Sequence, residues 1–493
     1  MEKFVVDEYV LDSEQTEVVL NSDNNLLVIA GAGSGKTLTI VGKIRYLIND
    51  LLVKPEEILC LSFTNAATDS LKEKLGNDKI DVMTFHKLGL HILKDNEKNL
   101  NISKSDYLDY VVEEFLLGII FESNILMKKV LSYFNIFLYF DVEKRYKRFI
   151  NEEYNRINSL KRLIIKFLKL LKTNNYYIDS FILFKKCSFS RKERNFLSLA
   201  LNIYLIYENE LRSSGSVDFD DMLIESRKII ENGGFVKNYK YIIIDEYQDT
   251  SYIRYLLIKS ILEKTKAKFI AVGDDFQSIY RFTGSDLDIF TSFGECFENA
   301  KILKLQNTYR NSMELIDVAG NFVMKNKNQI IKKLKSNKTI FRPIKICYDM
   351  SLKKLIQDIC GNIMILGRNN NDIFEYIDNN FLFDGENLIY ENNQGKKIRY
   401  LTIHRSKGLE EENVIILNVV DSKYGIPNKI EDDKILRFVS KSKNYLYDEE
   451  RRLFYVALTR TKNNVYLMTK RFSESIFIKE ILRSDPEKIE IMY

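Results

Sequence analysis

The residues Val28 to Ile40 read Val-Ile-Ala-Gly-Ala-Gly-Ser-Gly-Lys-Thr-Leu-Thr-Ile. Gly31, Gly33 and Gly35, with Ala32 and Ser34 between them, allow a tight turn whose successive N–H groups point at phosphate oxygens. Lys36 then reaches the β- and γ-phosphates, and the Thr37 hydroxyl suits Mg²⁺. Far downstream, Asp245-Glu246 supplies paired carboxylates: Asp245 can hold Mg²⁺ through water, and Glu246 can orient and deprotonate an attacking water. Gln277 is placed to sense the γ-phosphate. Arg310 and Arg460 offer positive charge for the anion that develops during phosphoryl transfer. These types at these places describe the hydrolysis of a nucleoside triphosphate.

Such side chains must stand at strand ends. Leu26 to Ala30 is a short apolar run suited to a buried parallel strand, followed by apolar helical periodicity from Leu38 to Ile48. Further strands are predicted at Ile58 to Phe63, Ile80 to Met83, Tyr241 to Ile244 and Lys268 to Val272, with helices between, which is the pattern of a parallel α/β sheet. Residues 105–212 break that alternation with helix throughout, rich in Lys and Arg. A second alternation begins near Ile302, with strands predicted at 302–305, 344–348, 362–366, 399–403 and 413–419 and Asn-rich loops at 369–371 and 392–394. Two α/β units around a cleft result.

Composition narrows the class. The 493 residues are 45% hydrophobic with only four prolines, as for a folded, helix-rich globular chain of several domains. Met1 to Val10 lacks a charged-then-apolar leader, and the longest apolar runs, such as Phe115 to Phe121, fall short of a membrane span. Cys60, Cys187, Cys296, Cys347 and Cys360 show no paired spacing and read as reduced thiols of a cytoplasmic protein. Three histidines leave little room for metal-ligand clusters, and the net charge of +5 is a mild basic excess.

Taken in order, the motifs resemble a superfamily 1A helicase of the UvrD/Rep type. They are Gln15, Gly-Ala-Gly-Ser-Gly-Lys-Thr (31–37), Ser-Phe-Thr-Asn (62–65), Thr-Phe-His (84–86), Asp-Phe-Asp-Asp (218–221), Asp-Glu-Tyr-Gln-Asp-Thr (245–250) and Gly-Asp-Asp-Phe-Gln-Ser-Ile-Tyr (273–280). Tyr-Arg-Asn (309–311), Thr-Ile-His-Arg-Ser-Lys-Gly-Leu-Glu (402–410) and Arg-Leu-Phe-Tyr-Val-Ala-Leu-Thr-Arg (452–460) complete the set. The resemblance implies an α/β fold of two tandem RecA-like P-loop NTPase lobes with a helical insertion in the first. Lobe 1A would span 1–104 and 213–295, the basic insert 1B 105–212, and lobe 2A 296–493. By the same resemblance ATP and Mg²⁺ are the cofactors, Gln15 reads the adenine edge, Tyr309 stacks on its face and Glu410 lies near the ribose. Phe63, Asn65, Thr84, His86, Phe282, Thr402 and His404 would lie along a single-stranded DNA track, the aromatics as stacking platforms.

None of the departures from the family pattern touches the phosphate-cleaving set. Ala66 stands where a Lys is usual, Phe282 replaces a Trp, Thr283 an Arg, Leu38 an Arg near the adenine, and Glu411 an aromatic. Only about thirty-five residues separate the strand near Ile363 from Thr402, too few for the family's 2B subdomain, which is reduced to a short connection near 369–399. The chain ends at Tyr493 soon after the last motif, so no nuclease domain or long tail is expected. The resulting expectation is an ATP-dependent 3′–5′ single-stranded DNA translocase or helicase, with no membrane partner. The rivals are the motor subunit of a repair or phage-defence complex with a protein partner, and a DNA-gated ATP switch without processive unwinding.

Overall fold

The computed structural model describes residues 4–98, 100–136, 141–390, 395–441 and 445–493, with the side chains of 119–122 outside the description. The Asn-rich stretch expected as a loop at 392–394 lies outside the described residues. Two all-parallel six-stranded sheets carry the molecule. The first runs Ala300–Leu305, Asn25–Ala30, Lys268–Gly273, Tyr241–Ile244, Ile58–Ser62, Asp81–Thr84 in spatial order. The second runs Ile398–Thr402, Ile363–Gly367, Asn413–Ile416, Val465–Thr469, Ile344–Tyr348, Ile489–Met492. This is the α/β architecture of two RecA-like lobes.

The strands read as unbroken apolar runs because both faces of each sheet are covered. Leu27, Ile29, Leu59, Leu61, Ile242 and Ile244 pack on one face of the first sheet, and Leu26, Val28, Cys60, Ile243 and Val272 on the other. The strands Val465–Thr469 and Ile489–Met492, both beyond the last motif, add to those expected from the sequence.

One boundary moves. The sequence reading opened the second lobe at 296, yet Ala300–Leu305 is hydrogen-bonded in register to Asn25–Ala30 as the edge of the first sheet. An apolar strand after a helix looks the same wherever it pairs, so only tertiary placement decides its sheet. The chain crosses to the second sheet after Leu305.

Helices from Tyr107–Glu122 to Arg191–Ser213 form the insert. Its core also takes in Ile435, Leu436 and Val439, which the second lobe sends across to it. Between Gly367 and Ile398 the described residues hold a turn, Asp372–Glu375, and a short hairpin, Phe381–Phe383 with Leu388–Tyr390. Among the described residues no helix is long and apolar enough to cross a membrane.

The insert is joined to the first lobe through Lys172, whose buried ammonium meets Asp218 at 2.6 Å, Asp221 at 2.6 Å and Glu208 at 2.9 Å. Next to it the Thr173 hydroxyl donates to Asp220, and the Thr173 methyl lies where a Cβ on Gly284 would be, 2.3 Å away. Lys172→Met leaves these carboxylates buried and unpaired. We expect a loss of about 3–5 kcal/mol of stability, read as a lower denaturant midpoint and an earlier thermal transition.

Candidate functional site

Parallel strands deliver their following loops to one edge, and the first sheet does so here. The glycine-rich loop follows Asn25–Ala30, Asp245 follows Tyr241–Ile244, and Gln277 follows Lys268–Gly273, on three neighbouring strands. Gly33 and Gly35 adopt φ of 71° and 76°, the left-handed region that a side chain would strain. Gly31 serves a different need: a Cβ there would sit 2.3 Å from Leu334 of the crossing segment. A Cβ on Gly33 would lie 2.6 Å from the Arg310 Cβ, so that arginine is pressed against the loop. The Ser34 hydroxyl is buried without a hydrogen-bond partner, an unsatisfied donor in the cradle itself.

Gln15 closes the back of this loop. Its Oε1 accepts from the Asp12 N–H in a capping box, and its Nε2 donates to the Ser34 carbonyl at 3.1 Å. Each amide atom keeps one further hydrogen-bonding position. Tyr309 stands beside Gly35, 60% exposed, with its hydroxyl donating to Asp12 at 2.6 Å.

Charge is concentrated at the strand ends. Lys36 pairs with Glu246 at 2.8 Å, and Gln248 Nε2 donates to the other Glu246 oxygen at 2.6 Å. Glu246 itself has φ of 54°, a left-handed backbone that a non-glycine residue holds only when its surroundings dictate it. Burial, then the adjacent Glu246 charge, pushes the Asp245 carboxyl up to about 6. The cations Lys36 and Lys407 outweigh burial at Glu246 and hold its carboxyl well below the ordinary range. Lys407 comes from the second lobe, reaching Glu246 at 3.6 Å and donating to the Gln277 carbonyl at 2.8 Å. Asp245, Glu246 and Asp249 face Lys36 and Lys407, with Arg254 acting on Asp249 and Arg460 on Glu246, and among the described residues no acidic or histidine cluster is spaced to hold a metal ion by itself.

The two arginines approach from the second lobe. Arg310 Nε donates to Glu410 at 2.6 Å and Nη1 to the Thr459 carbonyl at 3.2 Å. Glu410 also meets Lys462 at 3.0 Å. Arg460 is 1% exposed and donates to the Val456 and Leu409 carbonyls and, at 3.1 Å, to Gln277 Oε1. Burial and the nearby Arg310 lower its pKa to about 9.

The residues assigned to a nucleic-acid track divide into two groups. Phe63 packs on Phe85 with Arg254 over its ring, and His86 sits edge-on to Phe219, 5.4 Å between centroids. The Thr84 hydroxyl caps the Phe85–Asp95 helix, whereas Asn65, the first residue of the Asn65–Leu75 helix, is exposed. Phe282, Thr402 and His404 line a groove of about 1140 Å³ between the lobes. Phe282 is 46% exposed and lies edge-on to His404 at 5.4 Å.

The expected phosphate residues therefore converge, with Lys36, Asp245, Glu246, Gln277, Arg310 and Arg460 linked by direct contacts or through one residue. Sequence reasoning missed Lys407, although it lay inside a quoted motif. Nothing in the spacing separated it from Arg405, which instead points outward to Glu386 at 3.0 Å. It also missed Gln248 as the holder of Glu246, and Lys332, a buried lysine in an otherwise unremarkable basic stretch.

A phosphate-binding loop, an acidic strand end and two arginines from a facing lobe define a two-lobed P-loop NTPase. Residues 11–298, more than half of the chain, match the UvrD/REP helicase N-terminal domain, and the chain belongs to that family. It is 26% identical to DNA helicase IV of Escherichia coli over 96% of this chain and 70% of that relative. It is 29% identical to the ATP-dependent DNA helicase Rep of Buchnera aphidicola, covering 73% of this chain and 51% of the relative. Against the ATP-dependent DNA helicase PcrA of Bacillus subtilis it is 28% identical over 66% of this chain and 41% of the relative. The chain thus spans about half or less of the latter two.

Two expectations arise from this geometry. Lys36→Ala removes the fixed cation of the cradle and should abolish nucleotide hydrolysis. Glu246→Gln should still bind nucleotide while turnover falls by about 10²–10⁴-fold; near-normal turnover would exclude it as the base. The second concerns pH. Burial lowers the pKa of both His86 and His404 to about 4, against about 6.5 in an unfolded chain. The unfolded state then binds more protons between those values, so stability is full above pH 6.5 and declines as pH falls toward 4. A His86→Asn/His404→Asn variant should show a shallower loss of melting temperature over that interval.

Proposed function

We propose that this chain is an ATP-driven DNA motor that moves along single-stranded DNA, in the 3′ to 5′ direction suggested by its family resemblance. One observation carries the reading: Lys407, Arg310 and Arg460, all beyond the crossing point at Leu305, converge on the phosphate set of the first lobe. Nucleotide bound at such a site contacts both lobes, so hydrolysis and lobe closure are coupled.

In this reading the loop from Gly31 to Thr37 cradles the phosphates, with the Ser34 hydroxyl as one donor. Gln15 offers its remaining amide positions to the adenine, Tyr309 its exposed face, and Glu410 lies by the ribose. Mg²⁺ would be held by Thr37 and Asp245 and would neutralise charge on the β- and γ-phosphates. Glu246 holds the attacking water and takes its proton; its pairing with Lys36 must loosen for this. Gln277 contacts the γ-phosphate, and Arg310 and Arg460 meet the charge of the transition state.

For DNA, the exposed Phe282 and the edge-on His404 form a stacking platform in the interlobe groove, and Thr402 caps the turn beneath them. Phe63, Asn65, Thr84 and His86 extend the track onto the first lobe. Both histidines are neutral near pH 7, so they act by stacking and hydrogen bonding rather than by charge. Where the family resemblance implies a large subdomain, the described residues hold the short hairpin Phe381–Phe383 with Leu388–Tyr390. That favours a motor with weak duplex contact, dependent on a partner for extensive strand separation.

The test is ATPase activity with and without single-stranded DNA, followed by unwinding of 3′- and 5′-tailed duplexes. Stimulation by single strand with tighter binding of single-stranded than blunt DNA at matched salt supports the reading. DNA-independent turnover, or blunt duplex bound as tightly, would overturn it. Arg310→Ala and Arg460→Ala should each lower kcat by about 10²–10³-fold with a smaller change in nucleotide affinity. A change confined to affinity would remove that arginine from the catalytic set.

A further inference from the structure

Lys332 lies in the segment that crosses from the first sheet to the second, outside every motif of the nucleotide site. Its side chain is 1% exposed, yet no oxygen of the glycine-rich loop or of Glu246 is its partner. The ammonium is instead inserted between two fully buried carboxylates. It meets Asp274 Oδ1 closely and Asp275 Oδ1 at 2.6 Å, and stands 3.8 Å above the Phe276 ring. Asp275 is held further by Gln329 Nε2 at 2.6 Å and the Ile330 N–H at 2.8 Å, which seat the crossing segment on this turn.

Asp274 passes the contact onward. Its second oxygen accepts from Gln277 Nε2 at 2.6 Å, and Gln277 Oε1 accepts in turn from Arg460 at 3.1 Å. Its backbone N–H donates to Gln248 Oε1 at 2.9 Å, and the same Gln248 amide holds Glu246 at 2.6 Å. A side-chain amide can rotate by 180° or swing to another rotamer unless its partners forbid it. With one Asp274 oxygen occupied by the lysine, the other remains to fix which atom of Gln277 faces which neighbour. Remove the lysine, and Asp274 becomes a buried anion acted on by Lys36 and by Arg460, the latter one residue along the same chain of contacts.

We propose that Lys332 is a positioning residue for nucleotide hydrolysis: it neutralises and orients Asp274 so that Gln277 and Arg460 are presented to the γ-phosphate. This rests on the ATPase reading given above. Because the lysine rides on the crossing segment, whose Leu334 also abuts Gly31, displacement of that segment would disarm the site.

A double-mutant cycle tests the assignment on the full-length chain, with kcat, KM and the affinity for a fluorescent ATP analogue measured well below the melting temperatures of all variants. Lys332→Met should lower kcat by about 10–100-fold, less than deletion of a direct transition-state donor, with analogue affinity changed less than about threefold. In a Gln277→Ala background the same substitution should have little further effect on kcat, because both act through one contact. Equal, multiplicative losses in the two backgrounds would overturn the proposal and leave Lys332 a stability residue. Asp275→Asn and Asp274→Asn supply a second comparison should Lys332→Met fail to fold. Both disturb the same buried pair, but only Asp274→Asn should slow turnover; equal kcat for the two would also overturn it. Absence of ATPase activity in the unaltered protein would instead refute the function on which the proposal depends.

Discussion

Buried negative charge in the cleft is the constraint on which the rest of the structure depends. Asp249, Asp274 and Asp275 are buried and Asp245 and Glu246 half-buried, all in the turns that follow Tyr241–Ile244 and Lys268–Gly273 of the first sheet. An unpaired carboxylate in such a place is expensive, so each needs a cation or a set of N–H donors. Among the described residues the first lobe itself supplies Lys36 to the cluster, with Arg254 acting on Asp249. Lys332 and Lys407 come from the crossing segment and the second lobe. The cleft therefore holds together because the first lobe borrows charge from across it.

That borrowing puts the ion pairs in competition with bound phosphate. Salt bridges such as Lys36–Glu246 and Arg310–Glu410 satisfy groups that bound phosphates would claim for themselves. In the proposed motor, binding and release of a triphosphate exchange one set of ion pairs for another and shift the lobes that supply those charges. A ligand can move such an equilibrium only by its differential affinity for the two arrangements, and here the second-lobe cations supply that difference. In that proposal energy passes by exchange of partners around a few buried groups, while the two-sided apolar packing of the sheets resists their deformation.

The helical insert is held to the same machinery from two sides. Lys172 fixes it to the Asp218–Asp221 turn of the first lobe. Asn174, two residues on, donates to the Val439 carbonyl of the segment that the second lobe places in the insert's own core. Arg281, next to Phe282, is paired with Asp432 of that segment and with Glu449. The side of the groove that carries the aromatic platform is therefore built by three parts of the chain at once, and motion of any one is felt at Phe282.

The sequence by itself determined the chemistry and the class of fold. The loop from Gly31 to Thr37, the Asp245-Glu246 pair and the apolar strands that carry them are local features, fixed by backbone freedom, hydrogen-bonding capacity and two-sided burial. Most strand positions and the helical insert followed from the same periodicities. Tertiary structure alone decided the rest. Ala300–Leu305 joined the first sheet rather than the second because strand pairing is a long-range choice that an apolar run cannot encode. Lys407 turned inward and Arg405 outward because their partners lie some 20 to 160 residues away in sequence. Lys332 became part of the site for the same reason: its role is set by which buried carboxylates happen to face it, and burial of charge is a property of the folded molecule, not of any segment read alone.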